Sequence, residues 1–185
     1  GTRFINASST GENLSIGLGA GSGVTSGARN TAVGDGTMVG NTGGDDNVAV
    51  GYGALQGTSI GDNNVAIGSL ALSASGYNNS NSVAIGRAAL QSSDTGGDNI
   101  AVGFNALWLS TSGAQNIAIG REAGADSFVD QSPNRRSIID DQMTFLGHNA
   151  SRFEGTASTS QLTYGTAIGA RARVGCSNGL ALGGL

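Results

Sequence analysis

Nine regularly placed glycines of this chain are each followed by a residue of no fixed chemistry. In order these are Leu18, Asp35, Tyr52, Ser69, Arg87, Phe104, Arg121, His148 and Ala170. A column that mixes aromatic, basic, acidic and small side chains behaves as an exposed position does. Tyr52, Arg87, Phe104 and Arg121 would line one edge of a stacked structure. Aromatic rings beside guanidinium groups can stack on sugar rings and hydrogen-bond to sugars or receptor side chains. An ordinary solvated edge, or one shared between protomers, would carry the same column.

A second candidate is the segment Ala125–Met143, ADSFVDQSPNRRSIIDDQM. It interrupts the spacing of the glycines, holds the only proline, Pro133, and pairs Arg135 with Arg136 before Asp140-Asp141. A loop added to a rigid scaffold is a common seat of binding. Its apolar residues Phe128, Val129, Ile138 and Ile139 suggest a hairpin or flap. Receptor contact and the locking of a neighbouring protomer are both open for it. Arg152, Phe153, Glu154 and Tyr164 pose the same choice on a smaller scale. Trp108 follows an Ala-Leu step where other copies carry polar residues, and reads as a cap over a neighbour or as a contact residue.

Enzymatic chemistry finds little footing. His148 is the sole histidine, and no Ser-His-Asp arrangement surrounds it. Acidic turns such as Gly43-Gly44-Asp45-Asp46 and Gly96-Gly97-Asp98 miss the GGxGxD calcium-roll pattern. Glycines that follow strands without a following helix do not make a phosphate loop. Cys176 stands alone and reads as a small buried residue rather than a nucleophile. The expectation is a protein without catalytic residues, metal or cofactor.

The elements that must position these residues are visible as a repeat. NTAVG (Asn30–Gly34), NVAVG (Asn47–Gly51), NVAIG (Asn64–Gly68), SVAIG (Ser82–Gly86), NIAVG (Asn99–Gly103) and NIAIG (Asn116–Gly120) are its clearest copies. Weaker copies end at Gly17, Gly147, Gly169 and Gly183, and the successive glycine spacings are 17, 17, 17, 18, 17, 17, 27, 22 and 14. A fixed short period marks a solenoid. In the copy Asn47–Asn63, Val48-Ala49-Val50 forms a short strand with β-branched residues on one face and alanine on the other. Gly51 turns the chain, two variable residues follow, and Ala54-Leu55 reads as a small second strand before a polar return. The asparagine four residues before each glycine stacks into a column, either to bond coil to coil or because asparagine tolerates the turn.

The fold class is therefore all-β: a parallel β-roll solenoid of about ten coils. One repeat domain covers 1–185, with coils regular over 13–124, an insertion at 125–143, and irregular final coils over 144–185. Glycine makes up 33 of 185 residues and charged residues only 12%, which suits thin coils with small interiors better than a bulky core. So thin a roll leaves one strand face uncovered, and oligomerisation would cover it. The strand residues Val48, Val50, Val65, Ile67, Val83, Ile85, Ile100, Val102, Ile117 and Ile119 are candidates for that contact, with alanine and leucine inside; the reverse assignment stands open. With a net charge of −4 and no lysine, nucleic acid is not an expected partner. No run is long and apolar enough for membrane insertion. The chain opens mid-pattern, as a segment of something longer would.

NSVAIGRAAL (Asn81–Leu90) and NVAIGSLAL (Asn64–Leu72) resemble the head repeat of trimeric autotransporter adhesins of the YadA type. The longer units NTGGDDNVAVGYGAL (Asn41–Leu55) and TFLGHNAS (Thr144–Ser151) are more similar to the form found in bacteriophage tail fibres. The resemblance runs from Asn13 to Gly183, apart from the two longer spacings. It implies a left-handed roll and a homotrimer, intertwined or side by side, with the repeat strands packed around a three-fold axis. It implies a virion tail fibre that attaches to a host-surface glycan or outer-membrane protein, or else an adhesin head on a bacterial surface. A structural spacer without receptor contact is the third expectation.

Overall fold

The computed structural model describes residues 11–57, 61–73, 79–93, 96–125, 141–153 and 162–183, and the backbone of 5–7. Its described residues hold thirteen short strands and no helix. They are β1 Ile5–Ala7, β2 Leu14–Ile16, β3 Thr31–Val33, β4 Val48–Val50, β5 Val65–Ile67, β6 Val83–Ile85, β7 Ile100–Val102, β8 Ile117–Ile119, β9 Thr144–Leu146, β10 Ser151–Arg152, β11 Thr166–Ile168, β12 Arg173–Val174 and β13 Leu180–Leu182. Eleven of them form one sheet, in sequence order apart from the omission of β10 and β12, which pair separately. From β2 onward each strand lies parallel to the next with no slip: Val48, Ala49 and Val50 face Val65, Ala66 and Ile67. β1 runs antiparallel to β2 and covers what would be the free edge of the stack.

The protein is thus a parallel β-solenoid, of about eight turns rather than the ten expected. Ten stacked strands enclose one connection fewer than their number. The last connection, only 14 residues from Gly169 to Gly183, is too short for a full coil.

Strand alternation decides which face is buried. The middle residues Ala32, Ala49, Ala66, Ala84, Ala101 and Ala118 point inward and are fully or almost fully buried. Against them pack Met38, Leu55, Leu72, Leu90 and Leu107, all at 0% exposure. The interior is one small residue deep, and a larger one demands compensation. Phe145 takes the alanine place in β9, and Gly124 takes the leucine place one coil earlier. A Cβ on Gly124 would lie 2.8 Å from Phe145 Cδ2.

The Ala-Leu step is not a second strand. It lies in a turn, with Leu55, Leu72, Leu90 and Leu107 in the left-handed region at φ 53°, 52°, 51° and 49°. The coils still bond there, Leu55 N–H donating to Ala71 O at 2.9 Å and Leu90 N–H to Ala106 O at 2.9 Å. Burial of the leucine side chain offsets a backbone cost of about 1–2 kcal/mol per residue. A propensity argument reads Ala-Leu as extended or helical and misses a conformation that only stacking stabilises.

Glycine at the strand ends is required twice over. Gly51 has φ 129°, and a Cβ there would sit 2.7 Å from the carbonyl carbon and oxygen of Gly68 in the next coil. The same holds, coil on coil, up the column.

Candidate functional site

The two edges of the sheet are built differently. On the edge leading into the strands, the asparagine column is buried: Asn47, Asn64 and Asn99 are at 0% exposure. Each amide serves backbone groups, not a neighbouring amide. Asn47 Oδ1 accepts from Asn64 N–H at 2.8 Å, and Asn47 Nδ2 donates to Gly61 O at 2.8 Å. Asn64 repeats this with Ser82 N–H at 2.9 Å and Asn79 O at 2.7 Å. The column continues through Asn99 to Asn116, whose Oδ1 accepts from Met143 N–H at 2.9 Å. Ser82 is too short to reach the next carbonyl. Its Oγ donates to Asn79 Oδ1 at 2.8 Å, and Asn79 in turn donates to Ser93 Oγ at 2.7 Å, so the polar groups around Ser82 are paired.

Beside this column stand acidic and amide side chains at left-handed positions, among them Asp46, Asn63, Asn81, Asp98 and Gln115. Arg29 grips Asp46 with two hydrogen bonds, Nε to Oδ1 at 2.6 Å and Nη2 to Oδ2 at 2.7 Å. This contact holds the Asp46 carboxyl below its usual range and raises the Arg29 guanidinium above its own. Asp45 and Asp62 accept the amides of Ala28 (2.7 Å) and Asp45 (2.8 Å) from adjacent coils.

On the edge leaving the strands most side chains are free of that duty; Asp35, whose Oδ1 accepts from Leu18 N–H at 2.9 Å, is an exception. Tyr52, Arg87, Phe104 and Arg121 occupy equivalent places in their coils. Their backbone carbonyls carry the stacking: Tyr52 O accepts from Leu70 N–H (2.9 Å), Arg87 O from Asn105 N–H (3.0 Å), Phe104 O from Glu122 N–H (2.8 Å) and Arg121 O from Asn149 N–H (2.9 Å). Tyr52 is 66% exposed. Phe104 is half-buried, with the guanidinium carbons of Arg87 and Arg121 over its ring, 5.6 and 5.7 Å from the centroid. Arg121 Nη2 also meets Glu122 Oε1 at 3.0 Å. His148 continues the column one coil on, half-buried with Nε2 3.3 Å from Asn149 Nδ2.

Arg135 and Arg136, with most of the insertion, lie outside the described residues. Trp108 is half-buried and reaches back one coil, Nε1 donating to Gln91 Oε1 at 2.9 Å. Phe153 and Tyr164 are exposed, and Arg152 is half-buried. Cys176 is exposed, contrary to the buried place expected of it, and lies in the turn between β12 and β13. Among the described residues no group of three or more His, Cys, Asp or Glu side chains gathers to hold a metal ion. No helix in them is long and apolar enough to cross a membrane. Arg171 was missed in the sequence. It stands one position beyond the variable column, and its amide donates to His148 O at 2.8 Å, which places it at the same edge.

The strand residues on the outward face form the second surface. Val48, Ile67, Ile85, Ile100, Ile117 and Ile119 are 36–44% exposed in the single chain, and Val50, Val65, Val83 and Val102 are half-buried. Which face is inside is therefore decided: alanine, not valine or isoleucine, fills the roll. No family model, curated protein or solved structure matches the chain.

Proposed function

We propose that this chain is a segment of a trimeric bacteriophage tail fibre, a left-handed β-roll that attaches the virion to the host cell surface. The observation that carries the reading is the outward face of the sheet. Two columns of valine, isoleucine, leucine and threonine run along it from Leu14 to Leu182, about 40 Å long and about 10 Å wide. A soluble monomer rarely leaves so continuous an apolar strip in water. Three such strips facing one axis would cover one another and leave the variable edges outside. The likeness of NSVAIGRAAL and TFLGHNAS to adhesin-head and tail-fibre repeats supports the same arrangement. Three copies of Tyr52, Arg87, Phe104 and Arg121 on one stiff shaft would raise a weak single-site affinity by effective concentration.

Native mass by light scattering tests the assembly. The expected value is three times the 18.2 kDa chain, falling to one chain for an Ile67→Arg/Ile100→Arg variant with an unchanged circular dichroism spectrum. A wild-type monomer would overturn it. Adsorption of the trimer to a panel of bacterial cells tests attachment. A trimer that adsorbs to none of them is a spacer.

A further inference from the structure

We infer that the edge from Arg87 to Arg171 is a binding site for an acidic polysaccharide, lying along the roll with its carboxylates on the guanidinium groups of Arg87 and Arg121. The inference rests on the attachment reading and names the chemistry of the surface it would meet. Phe104 is not a free stacking platform, because the coils before and after it place guanidinium groups over its ring. A stacked guanidinium keeps its in-plane N–H donors available for a carboxylate. The ring therefore acts as a spacer that holds two forks about 10 Å apart, two rises of the coil. Among the described residues Arg87 has no ion pair, and Arg121 meets only Glu122. His148 and the exposed Arg171 extend the line, so the edge carries three arginines and a histidine against one carboxylate.

This concentration stands out on a chain of net charge −4 whose other edge carries Asp45, Asp46, Asp62 and Asp98. In the coils of Arg87, Phe104 and Arg121 the opposite edge presents Asn81, Asp98 and Gln115, a single carboxylate against two guanidinium groups, too few to pair both across a protomer boundary. The site is a line of equivalent positions on stacked coils, which suits an extended polymer. A nucleic acid of high charge density would be repelled by the acidic remainder. An acidic protein would require an apolar centre, which this edge lacks.

The test is titration calorimetry of the full chain with oligogalacturonate and, in parallel, a neutral malto-oligosaccharide of equal length. The acidic oligomer is expected to bind, more weakly as salt rises, and the neutral one not to bind. Arg87→Ala and Arg121→Ala should each weaken binding about ten-fold or more. Phe104→Leu, with charge unchanged and fold checked by circular dichroism, should weaken it as well. Arg29→Ala removes the same charge from the opposite edge and should leave binding as it was. Equal loss in Arg29→Ala, equal binding of both oligomers, or a fall in native mass in the Arg87 and Arg121 variants would each overturn the proposal. Adsorption to cells with no oligogalacturonate binding would sink this site and spare the attachment reading. Binding without adsorption would do the reverse.

Discussion

The two edges of the sheet are made from the same repeat yet use their side chains in opposite ways. Where the chain enters a strand, Asn47 and Asn64 are buried, and both ends of each amide are committed to backbone groups of adjacent coils. Where the chain leaves, Tyr52 and Arg87 bond to the next coil through their carbonyls, and their side chains stay exposed. The difference is one of accounting for buried polar groups. The entering turn closes over N–H and C=O groups that water cannot reach, so a side chain must satisfy them. The leaving turn is satisfied mainly through the backbone, with the Asp35 carboxylate on Leu18 N–H as an exception, so most of its side chains can vary without disturbing the stack.

Mutation should break this contrast in graded steps. The largest effect is expected at the junction of strand and leaving edge. Gly51→Ala combines a left-handed backbone with a Cβ driven onto Gly68, and should cost about 3–5 kcal/mol in denaturant unfolding. On the entering edge, Asn47→Ala strands the Asn64 amide and the Gly61 carbonyl, a loss of about 2–5 kcal/mol by the same assay. Leu90→Ile keeps the volume but puts a β-branched residue at φ 51°, and should lower stability by about 1–2 kcal/mol, seen as a drop in Tm. Arg87→Ala on the leaving edge should change stability by less than about 0.5 kcal/mol while weakening oligogalacturonate binding about ten-fold or more. The smallest effect concerns Asp46. Its folded carboxyl titrates below the unfolded one, so its contribution is present above the unfolded value and fades as pH falls through the folded one. Both side chains are solvent-exposed, so Asp46→Asn should only slightly flatten the acid limb of a Tm against pH profile.

Much of this fold was legible because a repeat supplies its own alignment. Strand positions, the glycine column and the asparagine column follow from spacing. The leaving edge could be named from the variability of one place in the repeat. The left-handed leucines were not legible, since nothing in the dipeptide Ala-Leu favours positive φ. The role of Phe104 was also hidden: its spacing from Arg87 and Arg121 shows only that the three are stacked, not that the ring lies between two guanidiniums. Arg171 escaped because it stands one place after the variable column, where Glu122 and Asn149 stand in earlier coils, and only the stacking shows that this place shares the edge.

By itself the sequence determined that stacked coils would form, where they would turn, and which residues recur for backbone reasons, because a period records the constraint each coil places on the next. Only the tertiary structure decided the rest. It put alanine inside and the branched residues outside, because the interior left by stacked leucines is too shallow for valine. It turned the asparagine column toward backbone rather than toward itself. It also gathered Arg87, Arg121 and Arg171 on one edge and most of the described aspartates on the other, since residues 17 apart become neighbours only once the chain has wound.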